Sequence, residues 1–389
     1  MNECLYVNAV DAVGRPLSIH VKEGRIAALE GALPALPGVD AVDLGGRVVL
    51  PAFVDGHIHL DKSFVGDRWR PHQPAGNLRE RLAVEKRELA GALPIAQRAQ
   101  ALLRQASAFG TQAMRSHVDV DATTGLEHLF AVMQVREEWK DRMDIELVAF
   151  PQAGVMSCAG TADVLEAAAR EGVDVIGGID PTMLDGDADG QLDLIFGIAD
   201  RHGAKLDIHL HEPGRICREQ LQRIAARTRA LGLEGRVAVS HAYGLGDLDP
   251  AQLDAAAREL ARSGIAIMTN APGNHGFPPV LALRQAGATV FTGNDNIQDA
   301  WWPYGNGDML QRAMLIGYRS GFYLDEELAV ALDMATEAAA RVLGLQGYGL
   351  RVGNDANFVA VPAPNAAAAV AAAPAERLVL RRGQRIDGC

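Results

Sequence analysis

His57 and His59 stand two positions apart in the stretch Val54-Asp55-Gly56-His57-Ile58-His59-Leu60-Asp61, at the end of an apolar run from Val48 to Val54. In a strand, residues two apart project to the same face. Both imidazoles therefore point together, and such a pair can hold one divalent metal. The plainer reading is two histidines on a solvated strand end, and the rest of the chain weighs against it. Lys205 to Leu210 is a strand-like segment carrying His209. Val237 to Ser240 runs into His241, and Val290 to Gly293 runs into Asn294-Asp295-Asn296. Three histidines and one aspartate drawn from this set make an open metal site with a position left for water. Glu212, three residues beyond His209, can reach back as a proton shuttle to a bound heterocycle. Its alternative role is a helix N-terminal carboxylate favoured by the dipole. His211 would share the face of His209 in a longer strand; with the strand ending at Leu210 it is structural.

Such residues need a scaffold that brings distant strand ends to one point. After the first fifty residues the sequence alternates short apolar runs with helical stretches. The run ends fall near His57, His117, Gln152, Asp180, His209, His241, Asn270 and Asp295. Eight such units are what a (β/α)₈ TIM barrel requires, an α/β fold whose catalytic groups sit at the C-terminal ends of the strands. Thr161 to Arg170 and Gln252 to Arg262 have helical apolar spacing and end near Gly172 and Gly264. The first gap is long. Within residues 61–93, Leu78 to Ala90 reads as an extra amphipathic helix, either a lid over the barrel mouth or a surface decoration. Short strand-like segments at Leu5 to Val10, Ser18 to Val21, Arg25 to Leu29 and Arg47 to Val49 open the chain, and Asn357 to Val361 and Arg377 to Leu380 close it. Residues 1–50 and 349–389 are thus expected to pair as a small β-sandwich domain, with residues 51–348 forming the barrel. The Ala366 to Ala373 run is expected to be a loop or short helix of the terminal domain.

The bulk composition narrows the function classes. Of 389 residues, 48% are hydrophobic and 22% charged, which suits a folded globular chain. The formal charge of -12 argues against a nucleic-acid partner, because phosphate neutralisation needs basic patches. Cys4, Cys158, Cys217 and Cys389 are scattered without a CxxC pair, so neither a disulfide framework nor a cysteine zinc site is indicated. Met1 to Val10 lacks the basic start and apolar run of a signal peptide. The longest apolar stretch, Ala366 to Ala373, is too short to span a bilayer. A cytoplasmic enzyme with no membrane partner is expected; assembly of like chains is left open.

The motifs together resemble the amidohydrolase superfamily, and within it the cytosine deaminase branch with its triazine- and creatinine-hydrolysing relatives. The resemblance spans nearly the whole chain. It is carried by Pro51 to Asp61, His117-Val118-Asp119-Val120, Val148-Ala149-Phe150-Pro151-Gln152, His209 with Glu212, Ser240-His241 and Gly293-Asn294-Asp295. It implies one divalent transition metal per chain (zinc or iron, with manganese as the alternative) on His57, His59, His209 and Asp295. It implies Glu212 as the acid that protonates a ring nitrogen, and His241 and Asp295 as the groups that relay protons from the attacking water. It places Gln152 against a substrate carbonyl or ring nitrogen and Trp301 against the ring face, a role an indole suits. Core packing is the alternative for Trp301 and Trp302. The pattern departs at Asn296, where the branch has a second aspartate and where a substrate contact is still expected. It departs also at Ala153, in place of an acidic residue, and at Pro213-Gly214. These changes surround the pocket and leave the reaction class standing, with the ring left open. No lysine occurs in Asp174 to Ile179 to bridge a second metal. The expectation is a hydrolytic deaminase of a small nitrogen heterocycle. Hydrolysis of an N-alkylamino triazine or a cyclic amide is the alternative, and a non-catalytic binding barrel the third reading.

Overall fold

The computed structural model describes residues 3–386 apart from Asn274. Eight parallel strands form the inner sheet: Phe53–Ile58, Thr111–Asp119, Asp144–Phe150, Val175–Ile179, Lys205–Leu210, Val237–His241, Ala266–Met268 and Val290–Phe291. Each pairs with its sequence neighbour, and helices between them cover the outside. Strands covered on both faces read as continuous apolar runs rather than alternating ones. Every residue of the first and second strands is buried.

The first and eighth strands close the barrel. Gly56 N–H donates to the Thr292 carbonyl at 3.0 Å, and Asp295 N–H to the His57 carbonyl at 2.7 Å. Two glycines permit this approach. A Cβ on Gly293 would lie 2.3 Å from the His57 nitrogen, and one on Gly56 would lie 2.4 Å from the Phe291 ring. The Gly293→Ala variant is therefore expected to lose about 1–3 kcal/mol of stability by overpacking, and to bind metal less well because His57 is what the new methyl displaces. Denaturant unfolding with metal analysis checks this; an unchanged midpoint and metal content would show that the seam has slack.

The helices start where the local chemistry dictates. Asp249 caps Pro250–Arg262 by accepting from Gln252 N–H, with Pro250 at the first helical position, where no N–H is needed. Asn77 caps the inserted helix Leu78–Ala90, accepting from Glu80 N–H at 3.0 Å.

The terminal segments meet in one sheet, in the order Gln384–Ile386, Leu378–Arg381, Phe358–Val361, Val48–Pro51, Glu3–Val10, Pro16–Lys22, Arg25–Glu30, with Asp40–Asp43 beside Glu3–Val10. The sheet folds over on itself as a sandwich: Ile26 N–H donates to the Asn354 carbonyl at 2.9 Å, and Tyr6 meets Phe358 edge-on at 5.4 Å. Its middle strands have two buried faces. Val49, Phe358 and Ala360 pack with Tyr6, Ile19 and Val21 inside the sandwich, while Val48, Leu50, Val359 and Val361 join the barrel core. The C-terminal segment is also clamped to the barrel. Arg377 pairs with Asp308, its Nη1 at 2.7 Å from Oδ1 and its Nη2 at 2.5 Å from Oδ2.

The alanine run forms a short helix, Ala366–Ala372, which packs against the helices Met309–Ser320 and Asp325–Met334 and also meets the strand Val48–Pro51 of the terminal sheet. Its Ala366, Ala369 and Val370 belong to the main core. Among the described residues no helix is long and apolar enough to cross a membrane, and Cys4, Cys158 and Cys217 are free.

Candidate active site

The first strand ends on the two histidines, and the layer beneath fixes how each ring presents itself. The Ser240 hydroxyl donates to Asp207 Oδ1 at 2.6 Å, so its oxygen accepts from His57 Nδ1 at 2.9 Å. His59 Nδ1 donates to the His117 carbonyl at 3.1 Å. Both rings therefore carry a proton on Nδ1 and present Nε2 to Asp295, the arrangement that metal-ligating histidines with oriented partners adopt. Asp295 Oδ1 lies 3.3 Å from His59 Nε2 and 3.5 Å from His57 Nε2. Among the described residues neither nitrogen of the buried His209 has a protein partner. Donor atoms of His57, His59 and Asp295 lie within 4.8 Å of one another, as do those of His57, His209 and His241. Unpartnered imidazole nitrogens beside a carboxylate fit a divalent cation. His117 stacks on His57 at 3.7 Å, and His211 is held off the axis by Asp180 at 2.8 Å.

Burial, reinforced by neighbouring imidazoles, holds His57, His117 and His209 well below the usual histidine value. Burial also takes His241 down to about 3, outweighing attraction to Asp295. These rings are neutral at pH 7 and suited to bind a cation. Asp295 is buried too, which opposes ionisation, but its contact with His59 and attraction to His241 lower its pKa. The loops bearing these groups are strained. His241, Ala242, Ala271 and Asp295 have φ of 72°, 45°, 48° and 60°, a region that non-glycine residues enter at functional sites when packing enforces it.

Glu212 sits just past the fifth strand, not as an ornament on a helix start. Its Oε1 accepts from the main-chain N–H groups of Thr182 at 2.7 Å and Met183 at 2.6 Å. Its Oε2 is buried and has no hydrogen-bond partner among the described residues. Burial raises the Glu212 pKa, opposed by those same two N–H groups.

A cavity of about 1210 Å³ opens above these groups. His59, Gln152, His209, Glu212, His241, Asp295, Asn296 and Trp301 all line it, and His57 lies beneath. Asn296 Nδ2 donates to Asp299 at 2.6 Å. The inserted segment builds part of the wall through His72, Leu78 and Arg81.

A family model described as the amidohydrolase family matches residues 40–386. The chain belongs to the amidohydrolase family. It is 34% identical over 328 residues to the N-isopropylammelide isopropyl amidohydrolase of Pseudomonas sp. (strain ADP), covering 82% of this chain and 81% of that one. The crystal structure of N-isopropylammelide isopropylaminohydrolase from Burkholderia multivorans ATCC 17616 superposes with a TM-score of 0.93 at 41% identity, over 99% of this chain and 98% of that one. That of 5-methylcytosine deaminase from Klebsiella pneumoniae, liganded with phosphonocytosine, gives 0.86 at 28% identity over the same shares. Amidohydrolases depend on metal, and the histidine–aspartate cluster is where this one can hold it. This amidohydrolase is a hydrolase of carbon–nitrogen bonds other than peptide bonds.

Several residues of this amidohydrolase's site escaped the reading of the sequence. Asn270 Nδ2 donates to Asp295 Oδ2 at 2.8 Å, steadying the carboxylate. The Tyr243 hydroxyl sits 3.2 Å from His241 Nδ1. Arg115 holds Asp207 at 2.7 Å, anchoring the chain that runs through Ser240 to His57. The buried Lys62 ammonium lies 2.8 Å from Asp119 and 3.7 Å from Glu85, and Glu85 reaches the site from the inserted helix.

Proposed function

We propose that this amidohydrolase removes an amino or alkylamino group from a small, flat nitrogen heterocycle by hydrolysis, with one zinc, iron or manganese ion per chain. The reading gives residues 51–348 the catalytic barrel and residues 1–50 with 349–389 the small domain, in a cytoplasmic protein. The observation that carries it is the meeting of the His57 and His59 Nε2 atoms on one Asp295 oxygen in a cavity that Glu212 and Trp301 also line.

The ligands are His57, His59, His209 and Asp295. A cation they hold supplies Lewis-acid activation of water near neutral pH. Trp301 offers its indole face to the flat ring, and Gln152 and Asn296 contact the ring's polar edge. His241, kept neutral by burial, accepts a proton from the attacking water, with Asp295 sharing the relay. Glu212 holds a proton at Oε2 and gives it to the ring nitrogen beside the attacked carbon. Its Oε1 stays on the two main-chain N–H groups, so the carboxyl does not swing away. The carbon–nitrogen bond to the exocyclic amine breaks, the amine takes up the proton that His241 accepted, and the added hydroxyl returns its proton to Glu212, so the ring keeps the water oxygen as a carbonyl. Helix Leu78–Ala90 over the mouth limits competing water.

An alkylamine leaving group has a specific observation behind it. Met183, Leu184 and Leu315 give the cavity an apolar wall, and at about 1210 Å³ it is roomy for an aminopyrimidine alone. Metal-loaded protein should be tested on aminopyrimidines, amino- and N-alkylaminotriazines, creatinine and pterins. Release of ammonia or alkylamine with the ring intact is expected. Ring opening without amine release would favour a cyclic amide hydrolase, and no turnover of any substrate by metal-bound protein would favour a binding barrel.

A further inference from the structure

Glu85 sits on the inserted helix, 2% exposed, and touches two of the three residues assigned to the substrate ring, Gln152 and Trp301. Its Oε1 accepts from Gln152 Nε2 at 2.6 Å. Its Oε2 accepts from the Trp301 indole N–H. Lys62 stands 3.7 Å away but has Asp119 at 2.8 Å as its nearer partner. The carboxylate therefore holds Gln152 with one oxygen and Trp301 with the other, the second also facing Lys62.

We infer that Glu85 is a positioning residue that sets the hydrogen-bond polarity of the ring pocket: by holding the Gln152 amide nitrogen, it leaves the Gln152 carbonyl oxygen as the group offered to substrate, and so selects rings that present an N–H there. The chemistry is that of donors and acceptors. Both Glu85 oxygens act as acceptors, so Gln152 turns its amide nitrogen, its only donor, towards Glu85. Among the described residues no group donates to the Gln152 oxygen, and Gln152 lines the cavity. Trp301 Nε1, also occupied, is left to act through its face alone. The inserted helix is thereby part of the specificity apparatus rather than a cover only.

The inference rests on the reading above in placing the ring between Gln152 and Trp301. It makes an unusual prediction, because an indole N–H can only donate. In Glu85→Gln the new side chain must point its carbonyl oxygen at Trp301, and its NH₂ then faces Gln152. Gln152 must rotate to accept, which swings its own nitrogen into the cavity. The pocket's polarity is reversed with almost no change of volume.

Binding of uracil and of 1,3-dimethyluracil to zinc-loaded protein, followed by calorimetry, reads this directly. Binding does not require turnover, so failure of the deaminase reading shows as absent amine release and is separate from failure here. Wild type should prefer uracil, whose N–H groups dimethylation removes. Glu85→Gln should move the ratio of affinities by about tenfold or more towards dimethyluracil, the scale of one exchanged hydrogen bond. Glu85→Ala should lose the preference without inverting it. Combining Glu85→Gln with Trp301→Phe should restore the uracil preference, since side chain 85 is then free to offer its carbonyl to Gln152. If Glu85→Gln and Glu85→Ala weaken both ligands alike, Glu85 only docks a helix and the inference is overturned. A wild-type protein indifferent to the two ligands would overturn it as well.

Discussion

Replacing Glu212 with Gln is expected to cut turnover by about 10²-fold or more, the usual scale of a general acid, while metal content stays at the wild-type level. The geometry makes this substitution clean. Gln keeps a carbonyl oxygen to accept from Thr182 and Met183 N–H, where Glu212 Oε1 now sits. The amide nitrogen takes the place of Oε2, the atom with no hydrogen-bond partner among the described residues. Shape and anchoring survive and only the transferable proton is lost. The pH dependence follows from the same burial. A carboxyl whose pKa is raised by desolvation works as an acid while protonated, so wild-type turnover should fall as pH rises through that raised value. The variant should lack this limb. Stability moves with it. A raised folded-state pKa contributes stability that is present below the ordinary carboxylate value and lost as pH rises through the folded one. Glu212→Gln, neutral throughout, should therefore melt no lower than wild type at pH 8. Near-normal turnover in the variant would reduce Glu212 to an anchor for the Thr182 loop. Loss of metal would make it a ligand.

How much of this was legible in the sequence depends on the range of the interaction. The period-two spacing of His57 and His59 is local and needs only a strand to be read. The polar residues at His209, His241 and Asp295 were readable because each follows a short apolar run, and the barrel brings all such ends to one face. The two edge strands Asp40–Asp43 and Gln384–Ile386 gave no such signal. They are short and largely exposed, and main-chain pairing rather than an apolar face holds them. The alanine helix could be read as a helix, but a run of small side chains does not say which surface it will meet.

Glu85 shows the limit most clearly. It pairs with Gln152, 67 residues away, and with Trp301, 216 residues away, so no local pattern contains the contact. One trace of it exists. Leu78, Leu82, Glu85 and Leu89 share the stripe that a helix turns inward, and a carboxylate there is out of place unless something buried needs an acceptor. The link from Arg115 through Asp207 and Ser240 to His57 was hidden for the same reason. Its members come from four strands and meet only when the barrel closes.

That link bears on the second large effect, which concerns the metal. Chelation is expected to abolish turnover, and one equivalent of zinc, iron or manganese per chain should restore it. His209→Ala should weaken metal binding by more than about 100-fold, beyond the 10- to 100-fold that loss of an orienting partner costs. Its activity should recover partly as the metal concentration rises, because the remaining ligands and Glu212 are intact. Ser240→Ala is the matched control. It removes no ligand, but it frees His57 Nδ1 from the oxygen that holds its proton there, so Nε2 is no longer fixed as the lone-pair end. Its loss of affinity should fall in that lower range. Metal analysis of dialysed protein against activity separates the cases. Saturation near two ions per chain, with activity following the second, would refute the single-metal site. The described fourth strand, Val175–Ile179, carries no lysine to bridge a pair, and the described Lys62 is committed to Asp119, which is why one ion per chain is the expected result.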